Sequence, residues 1–467
     1  MLLFEMNFMK NSYRIVIAVM ALLTLSASAI AADWKDNIKL YGFVRNYMAY
    51  DSRESLAGTG DLFYYLPKDQ NLNDAGEDLN QKNQFRFLSI TTRLGVDVLG
   101  FQWGRTTFGG KIETDFYAGL SGVTGTATLR LRQAYITAAW KDLQMGESSA
   151  SVNLKIGQAW HPMAADLCPV FTLEVGVPFG PFNRSPQITL DANLGDHFTL
   201  TASALWQMQY TSTGPDGASA NYIKYSCTPE GYLGLSYKTG GFLARVGADV
   251  LSIKPRTTGE GGYYDEAGAW NTTTVKVSDR ITTVSPFAYV QYVNGGFEFK
   301  AKTIYASAGE HMNIQGGYGI TKKFTAEGQD GHYEYAPIHT SSTWATVAYT
   351  FAKIWKPMIM AGYYRNLGTS EDLLNTDGNV LESDFYFAKN SYRNLNQLYR
   401  ISPSIVCTLG RFSIGLNYEL SGAQYGTPGT ATVGTKTVNV YNVHGLALDG
   451  LHWVYNHRVQ AMFKFSF

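Results

Sequence analysis

The chain has 467 residues, of which 38 are basic and 38 acidic, so it carries no formal net charge. That balance excludes the basic excess of a nucleic-acid binder. With only three cysteines, Cys168, Cys227 and Cys407, a disulfide framework is excluded too.

Taken in chain order, the first element is a targeting segment. Lys10 and Arg14 precede the apolar run 15–25, and the small residues Ser26-Ala27-Ser28-Ala29-Ile30-Ala31 follow. A charged start, an apolar middle and an A-x-A ending describe a secretory signal peptide over 1–31. The run is too short for a membrane anchor, which needs about 20 apolar residues. The remaining 32–467 reads as one domain, with no later run long enough for a transmembrane helix. A secreted chain can still cross a membrane as a closed barrel, because closure satisfies every backbone donor and acceptor. The 31 Tyr, 25 Phe and 9 Trp, beside 47 Gly and 14 Pro, suit strands and turns.

Sixteen strand-like segments follow: 38–50, 84–99, 104–118, 128–141, 150–160, 184–194, 197–210, 230–239, 241–253, 281–293, 296–306, 342–352, 357–367, 395–408, 411–422 and 454–467. Their connections alternate in length. Gly195-Asp196, the surroundings of Gly240, Asn294-Gly295 and Leu409-Gly410 are short, and Asn-Gly is a strong hairpin signal. The connections 51–83, 119–127, 161–183, 211–229, 254–280, 307–341, 368–394 and 423–453 are long and polar. An even strand number with short turns at one rim and long loops at the other describes an all-β transmembrane antiparallel barrel of the outer membrane. The last segment shows the wall chemistry. Tyr455, His457, Val459, Ala461, Phe463, Phe465 and Phe467 share one parity, and Asn456, Arg458, Gln460, Met462, Lys464 and Ser466 share the other. Tyr349, Trp355, Tyr363, Tyr418 and Trp453 fall near strand ends, as aromatic belts at the water interfaces require.

Several segments resemble a known family. Leu40-Tyr41-Gly42-Phe43-Val44-Arg45, Thr92-Arg93-Leu94-Gly95-Val96, Gly110-Lys111-Ile112-Glu113-Thr114-Asp115-Phe116 and Leu129-Arg130-Leu131-Arg132-Gln133-Ala134-Tyr135 are similar to the first four strands of Gram-negative outer-membrane porins. Ile156-Gly157-Gln158-Ala159-Trp160 and Phe182-Asn183-Arg184-Ser185-Pro186-Gln187-Ile188 resemble the DcaP-like, dicarboxylate-type porins. The likeness covers about the first 210 residues. It implies a sixteen-stranded homotrimeric barrel whose loop after the fifth strand, here 161–183, folds inward as a constriction. Family members often carry a helical segment before the barrel, whereas here the first strand begins within several residues of the expected cleavage site.

Charge placement follows from lipid. A charge facing lipid at the midplane costs about 2–4 kcal/mol, so Arg45, Arg93, Lys111, Arg132 and Lys155 are expected to face the lumen. Glu113 and Asp115 share the parity of Lys111. Asp166 and Glu174, the acids of the inserted loop, are expected on the opposing wall. The basic cluster predicts a mild anion preference in a passive channel for small hydrophilic solutes. The rival readings are a surface adhesin working through its long loops, an outer-membrane enzyme, and an active transporter. The last needs a plug before the first strand, for which the expected mature N-terminus leaves no room. None of the eight histidines, His161, His197, His311, His332, His339, His444, His452 and His457, sits in an activating motif, so an enzyme is not expected. Neither a metal site nor a cofactor is expected; His452 and His457, five apart on a strand, face opposite ways. Cys168 and Cys227 fall in loops of the same side and are the one candidate disulfide pair.

Overall fold

The computed structural model describes residues 37–117, 128–145, 148–387 and 392–467. The expected signal peptide over 1–31 and the connection 119–127 lie outside these residues. Among the described residues no helix is long and apolar enough to cross a membrane.

Strands β1 (Ile38–Asp51), β2 (Gln84–Leu88 with Arg93–Trp103), β3 (Thr106–Tyr117), β4 (Thr128–Met145), β5 (Ser148–Trp160), β6 (Arg184–Leu194), β7 (Phe198–Leu205) and β8 (Glu230–Thr239) follow one another around the wall. They continue as β9 (Phe242–Ile253), β10 (Ile281–Asn294), β11 (Phe297–Ser307), β12 (Tyr333–Tyr349), β13 (Trp355–Thr369), β14 (Leu395–Leu409), β15 (Phe412–Thr427) and β16 (Asp449–Ser466). Each pairs antiparallel with the next in sequence, and β16 returns to β1 in the register Phe43↔Ser466 through Asp51↔Arg458. The result is a closed sixteen-strand barrel. Gly42 and Phe467 complete the seam by exchanging backbone hydrogen bonds of 3.2 and 3.1 Å.

The strands are inverted relative to a soluble protein. On β1, Tyr41, Phe43, Arg45, Tyr47 and Asp51 turn inward, whereas Leu40, Val44 and Tyr50 are exposed on the outer face. Ile112, Ile136, Leu233 and Val246 are likewise exposed, while Lys302, Arg400 and Arg458 are buried inside. An apolar exterior and a charged interior are what lipid outside and water inside select. Tyr349 and Trp355 flank the turn between β12 and β13 and are exposed, as belt residues are.

Short turns fall where the glycine and asparagine signals place them. Asn294 ends β10 and Gly295 takes a φ of +58°, a left-handed conformation that costs glycine little. Expected bounds miss by up to five residues at β7, which ends at Leu205, at β15 and at β16, and the largest departure is at β12. β12 begins at Tyr333, nine residues before the segment 342–352 read from sequence. Its first part rises beyond β11 and pairs instead with Gly317–Lys323, which in turn pairs with Phe385–Phe387. The segment therefore owes its extension to partners inside two long connections, and Pro337 and the polar residues near it gave no period-2 signal. Other long connections also carry strands of their own, such as Thr258–Tyr264 with Trp270–Lys276.

Two connections pack against inward-facing wall residues. Residues 55–67 form a small hairpin, Ser55–Gly58 with Phe63–Pro67, whose Leu62, Tyr64 and Leu66 are fully buried. The connection after β5 reaches several walls: Tyr47 Oη donates to Phe171 O at 2.7 Å and Arg400 Nη1 donates to Val177 O at 2.9 Å. Lys302 Nζ donates to Met163 O. On β13, Gly362 is the seat for Phe179: a Cβ there would lie 2.4 Å from the ring. These contacts join one continuous apolar cluster that includes Phe63, Met163, Phe179, Phe182, Trp344 and Tyr364.

The lipid-facing assignment predicts the cost of a charge on it. Val246→Arg, at the middle of β9 on the outer face, should lower stability by about 2–4 kcal/mol. Denaturant unfolding in lipid vesicles measures this, and an unchanged midpoint would place Val246 away from lipid.

Candidate pore lining

The inward parity of β1 to β4 assembles a charged network on one wall. Antiparallel pairing sets Asp115 opposite Arg93 on β2 and Arg130 on β4. Arg130 clamps Asp115 through two bonds of 2.9 Å, from Nε to Oδ1 and from Nη2 to Oδ2. Arg132 bridges Glu113 and Asp115, with Nε at 2.8 Å from Glu113 Oε1 and Nη1 at 2.8 Å from Asp115 Oδ2. Two-point contacts of this kind fix the planar guanidinium in one orientation. Arg93 Nη1 lies 3.6 Å from the other oxygen of Glu113, Oε2. Lower on the wall, Lys111 pairs with Asp97 at 2.8 Å and donates to Tyr41 Oη, which donates to Glu113 Oε2; both of those bonds are 3.0 Å.

Beside this network lies a cavity of about 1020 Å³. Among the described residues six cationic side chains line it, Arg45, Arg93, Arg130, Arg132, Arg184 and Lys464, and neither Asp nor Glu does. Aromatic rings support the cations. The Arg45 guanidinium lies 4.8 Å from the centre of Phe43 and 5.0 Å from Tyr47, and that of Arg184 lies 4.9 Å from Trp160. Such stacking holds a cation without neutralising it. At the seam, Arg45 and Lys464 are directly opposite across β1 and β16. Like charges in that position repel and cost stability, which marks the pair as serving something other than folding. Arg45 also donates from Nε and Nη2 to Thr91 Oγ1, at 3.2 and 2.9 Å. Arg184 donates from Nε to Gln209 Oε1 at 3.1 Å, and its buried Nη1 has no hydrogen-bond partner.

Of the residues singled out from sequence, Arg45, Arg93 and Arg132 meet at the cavity. Glu113 and Asp115 stand behind them as their counter-charges. Lys111 and Lys155 are not part of the lining; the Lys155 ammonium lies over the Tyr135 ring at 5.5 Å. The loop acids are also elsewhere. Asp166 is paired with Arg245 on β9 at 2.6 Å, and Glu174 is buried and outside the lining. Three lining cations escaped the sequence reading. Arg130 shares the parity of Arg132, and Lys464 lies on the polar face of the last strand, so both carried a usable signal. Arg184 begins its strand after a long connection, where parity gives none.

The cysteines are all unpaired: Cys168 is buried, Cys227 is exposed and Cys407 is half-buried. No disulfide joins the first two. Burial pushes the Cys168 thiol up to about 12, so it holds no thiolate at neutral pH.

No family model matches the chain, and no curated relative does. Solved structures do. The outer membrane channel DcaP of Acinetobacter baumannii superposes with a TM-score of 0.56 at 17% identity, over 92% of this chain and 97% of that one. The anion-selective porin from Comamonas acidovorans superposes with a TM-score of 0.50 at 12% identity, over 92% of this chain and 99% of that one. The protein is thus a transmembrane β-barrel with the sixteen-stranded fold of outer-membrane porins.

Two outcomes test the site. Arg132→Gln leaves Glu113 with its main counter-charge gone and should cost about 3 kcal/mol, whereas Arg45→Gln, which breaks no carboxylate pair and sets its lost bonds to Thr91 against the relieved repulsion with Lys464, should shift unfolding by less than about 1 kcal/mol. A maleimide added to the folded protein should modify Cys227 and spare Cys168; equal labelling by mass spectrometry would contradict the burial of the inserted connection.

Proposed function

We propose that the protein is a passive outer-membrane channel for small hydrophilic solutes with a mild preference for anions. The observation that carries this reading is the cavity lining, which among the described residues holds six cations and no carboxylate. A permeating anion there meets attraction from the half-buried Arg45 and Lys464, with Arg184 buried beside them, while its carboxylate competitors are held behind Arg130 and Arg132. The connection 161–183 narrows the lumen by spanning from β5 to Tyr47, Arg400 and Gly362 on other strands. Its apolar face toward the cavity, with Leu167, Val170 and Phe171, gives a passing solute a hydrophobic side opposite a cationic one. The rings beside the arginines suit organic anions over bare inorganic ones. In this reading the protein works without a catalytic step and assembles as a homotrimer, as its resemblance to porins implies.

The seam pair supplies the decisive experiment. Reversal potentials in planar bilayers under a KCl gradient should report anion preference for the wild type. The double variant Arg45→Gln/Lys464→Gln should shift the reversal potential toward cations while folding normally. Cation preference in the wild type, or no shift in the variant, refutes the charge reading.

A further inference from the structure

Four buried side chains from four separate segments meet where the inserted connection leaves the wall. His161 follows β5 directly, Glu230 opens β8, Asp249 lies in β9, and His311 sits in the 3-10 turn Gly309–Met312 after β11. All four are at most 1% exposed. His161 Nε2 lies 2.6 Å from Glu230 Oε1 and 3.5 Å from Asp249 Oδ1. His311 Nε2 lies 3.5 Å from Glu230 Oε1 and 3.2 Å from Asp249 Oδ2. Two of the carboxylate oxygens, Glu230 Oε2 and Asp249 Oδ1, accept no hydrogen bond although they are fully buried. A buried carboxylate oxygen without a donor is costly unless a cation takes its place.

We propose that His161, Glu230, Asp249 and His311 form a binding site for a divalent transition-metal cation of the zinc class. A tetrahedral shell with bonds of about 2.0–2.1 Å sets its ligand atoms about 3.3 Å apart. Three of the four nitrogen–oxygen approaches, 3.5, 3.5 and 3.2 Å, are close to that spacing; the two to Asp249 use different oxygens, so binding turns its carboxylate or engages both of its oxygens. Ligand atoms of His161, Glu230 and Asp249 lie within 4.8 Å of one another. Two imidazoles beside two carboxylates select this class over calcium, which takes an all-oxygen shell. The charges also close: two carboxylates and two neutral imidazoles balance one dication, so nothing is left uncompensated in the interior.

The outer contacts bear on the ring protons. His311 Nδ1 faces the Ala308 carbonyl at 3.2 Å and so carries a proton, which in the neutral ring turns the Nε2 lone pair onto the carboxylates. His161 differs. Its Nδ1 accepts the Met163 amide at 3.1 Å, so without metal its proton lies on Nε2, facing Glu230. Metal entry displaces that proton to Nδ1 and exchanges the Met163 contact for a metal–nitrogen bond. The bound cation would then tie the connections after β5 and β11 to strands β8 and β9, fixing the root of the segment that narrows the lumen.

The test uses the folded protein in detergent, purified without chelator, loaded with Co2+ and desalted. The wild type should retain one Co2+ per chain with the strong visible bands of a tetrahedral site, and Zn2+ should bleach them. Asp249→Asn and His311→Gln should each lose retention, whereas the surface variant His452→Gln should keep it. Retention of no cobalt by the wild type, or undiminished retention by both site variants, overturns the proposal. Should those variants fail to fold, X-ray absorption of the zinc-loaded wild type decides: imidazole scattering at about 2.0 Å supports the site, and an oxygen-only shell overturns it.

Discussion

Every other feature of this molecule depends on the backbone pairing between β1 and β16. In hydrocarbon an unpaired amide or carbonyl has no water to turn to, so an open sheet edge cannot exist there. Nine residue pairs from Phe43↔Ser466 to Asp51↔Arg458 remove the edge. Closure then divides the side chains by parity into those that meet lipid and those that meet the lumen. Leu40 and Val44 have no alternative to the outside, and Arg45 and Asp51 have none to the inside. The interior chemistry is a consequence of the seam.

A lumen filled with charge raises a second problem, which the chain solves by sorting. Carboxylates on β3 are buried behind guanidiniums from β4, where each oxygen gains a directed donor. Such pairs contribute orientation as much as stability, because desolvation offsets much of their attraction. With the acids engaged at the back, the cationic edges of the same groups remain turned to the cavity. The connection after β5 adds Leu167, Val170 and Phe171 to the lining and, among the described residues, no acid.

The barrel was legible because period-2 alternation survives wherever one face of a strand meets lipid. All sixteen segments read from the sequence correspond to wall strands, with the largest error at β12, where pairing with Gly317–Lys323 extends the strand past the lipid-facing part. Parity alone also turned Arg45, Arg93 and Arg132 inward. Partnership between distant segments was not legible. Nothing local in Asp166 points to Arg245, 79 positions away, and nothing in the hairpin 55–67 announces that Leu62 and Leu66 lie inside the barrel. The four residues around His161 come from four stretches whose only relation is the curvature of the wall. Period and propensity act over a few residues, whereas these contacts are set by closure.

That limit bears on how composition should be read in a channel. The equal numbers of acidic and basic residues argue only that the chain as a whole has no field to steer a distant ion. A permeating solute responds to charges within roughly a Debye length, about 8 Å at physiological salt. Over that range the surface a solute touches, among the described residues, is six cations and no acids, while Glu113 and Asp115 lie just beneath it, each 2.8 Å from a lining arginine, and offset part of that charge. Neutrality overall and one sign locally are compatible because burial places a carboxylate's field on its own partner. Selectivity in such a barrel therefore follows from which member of each ion pair faces the water, a property of register and parity that net charge does not contain.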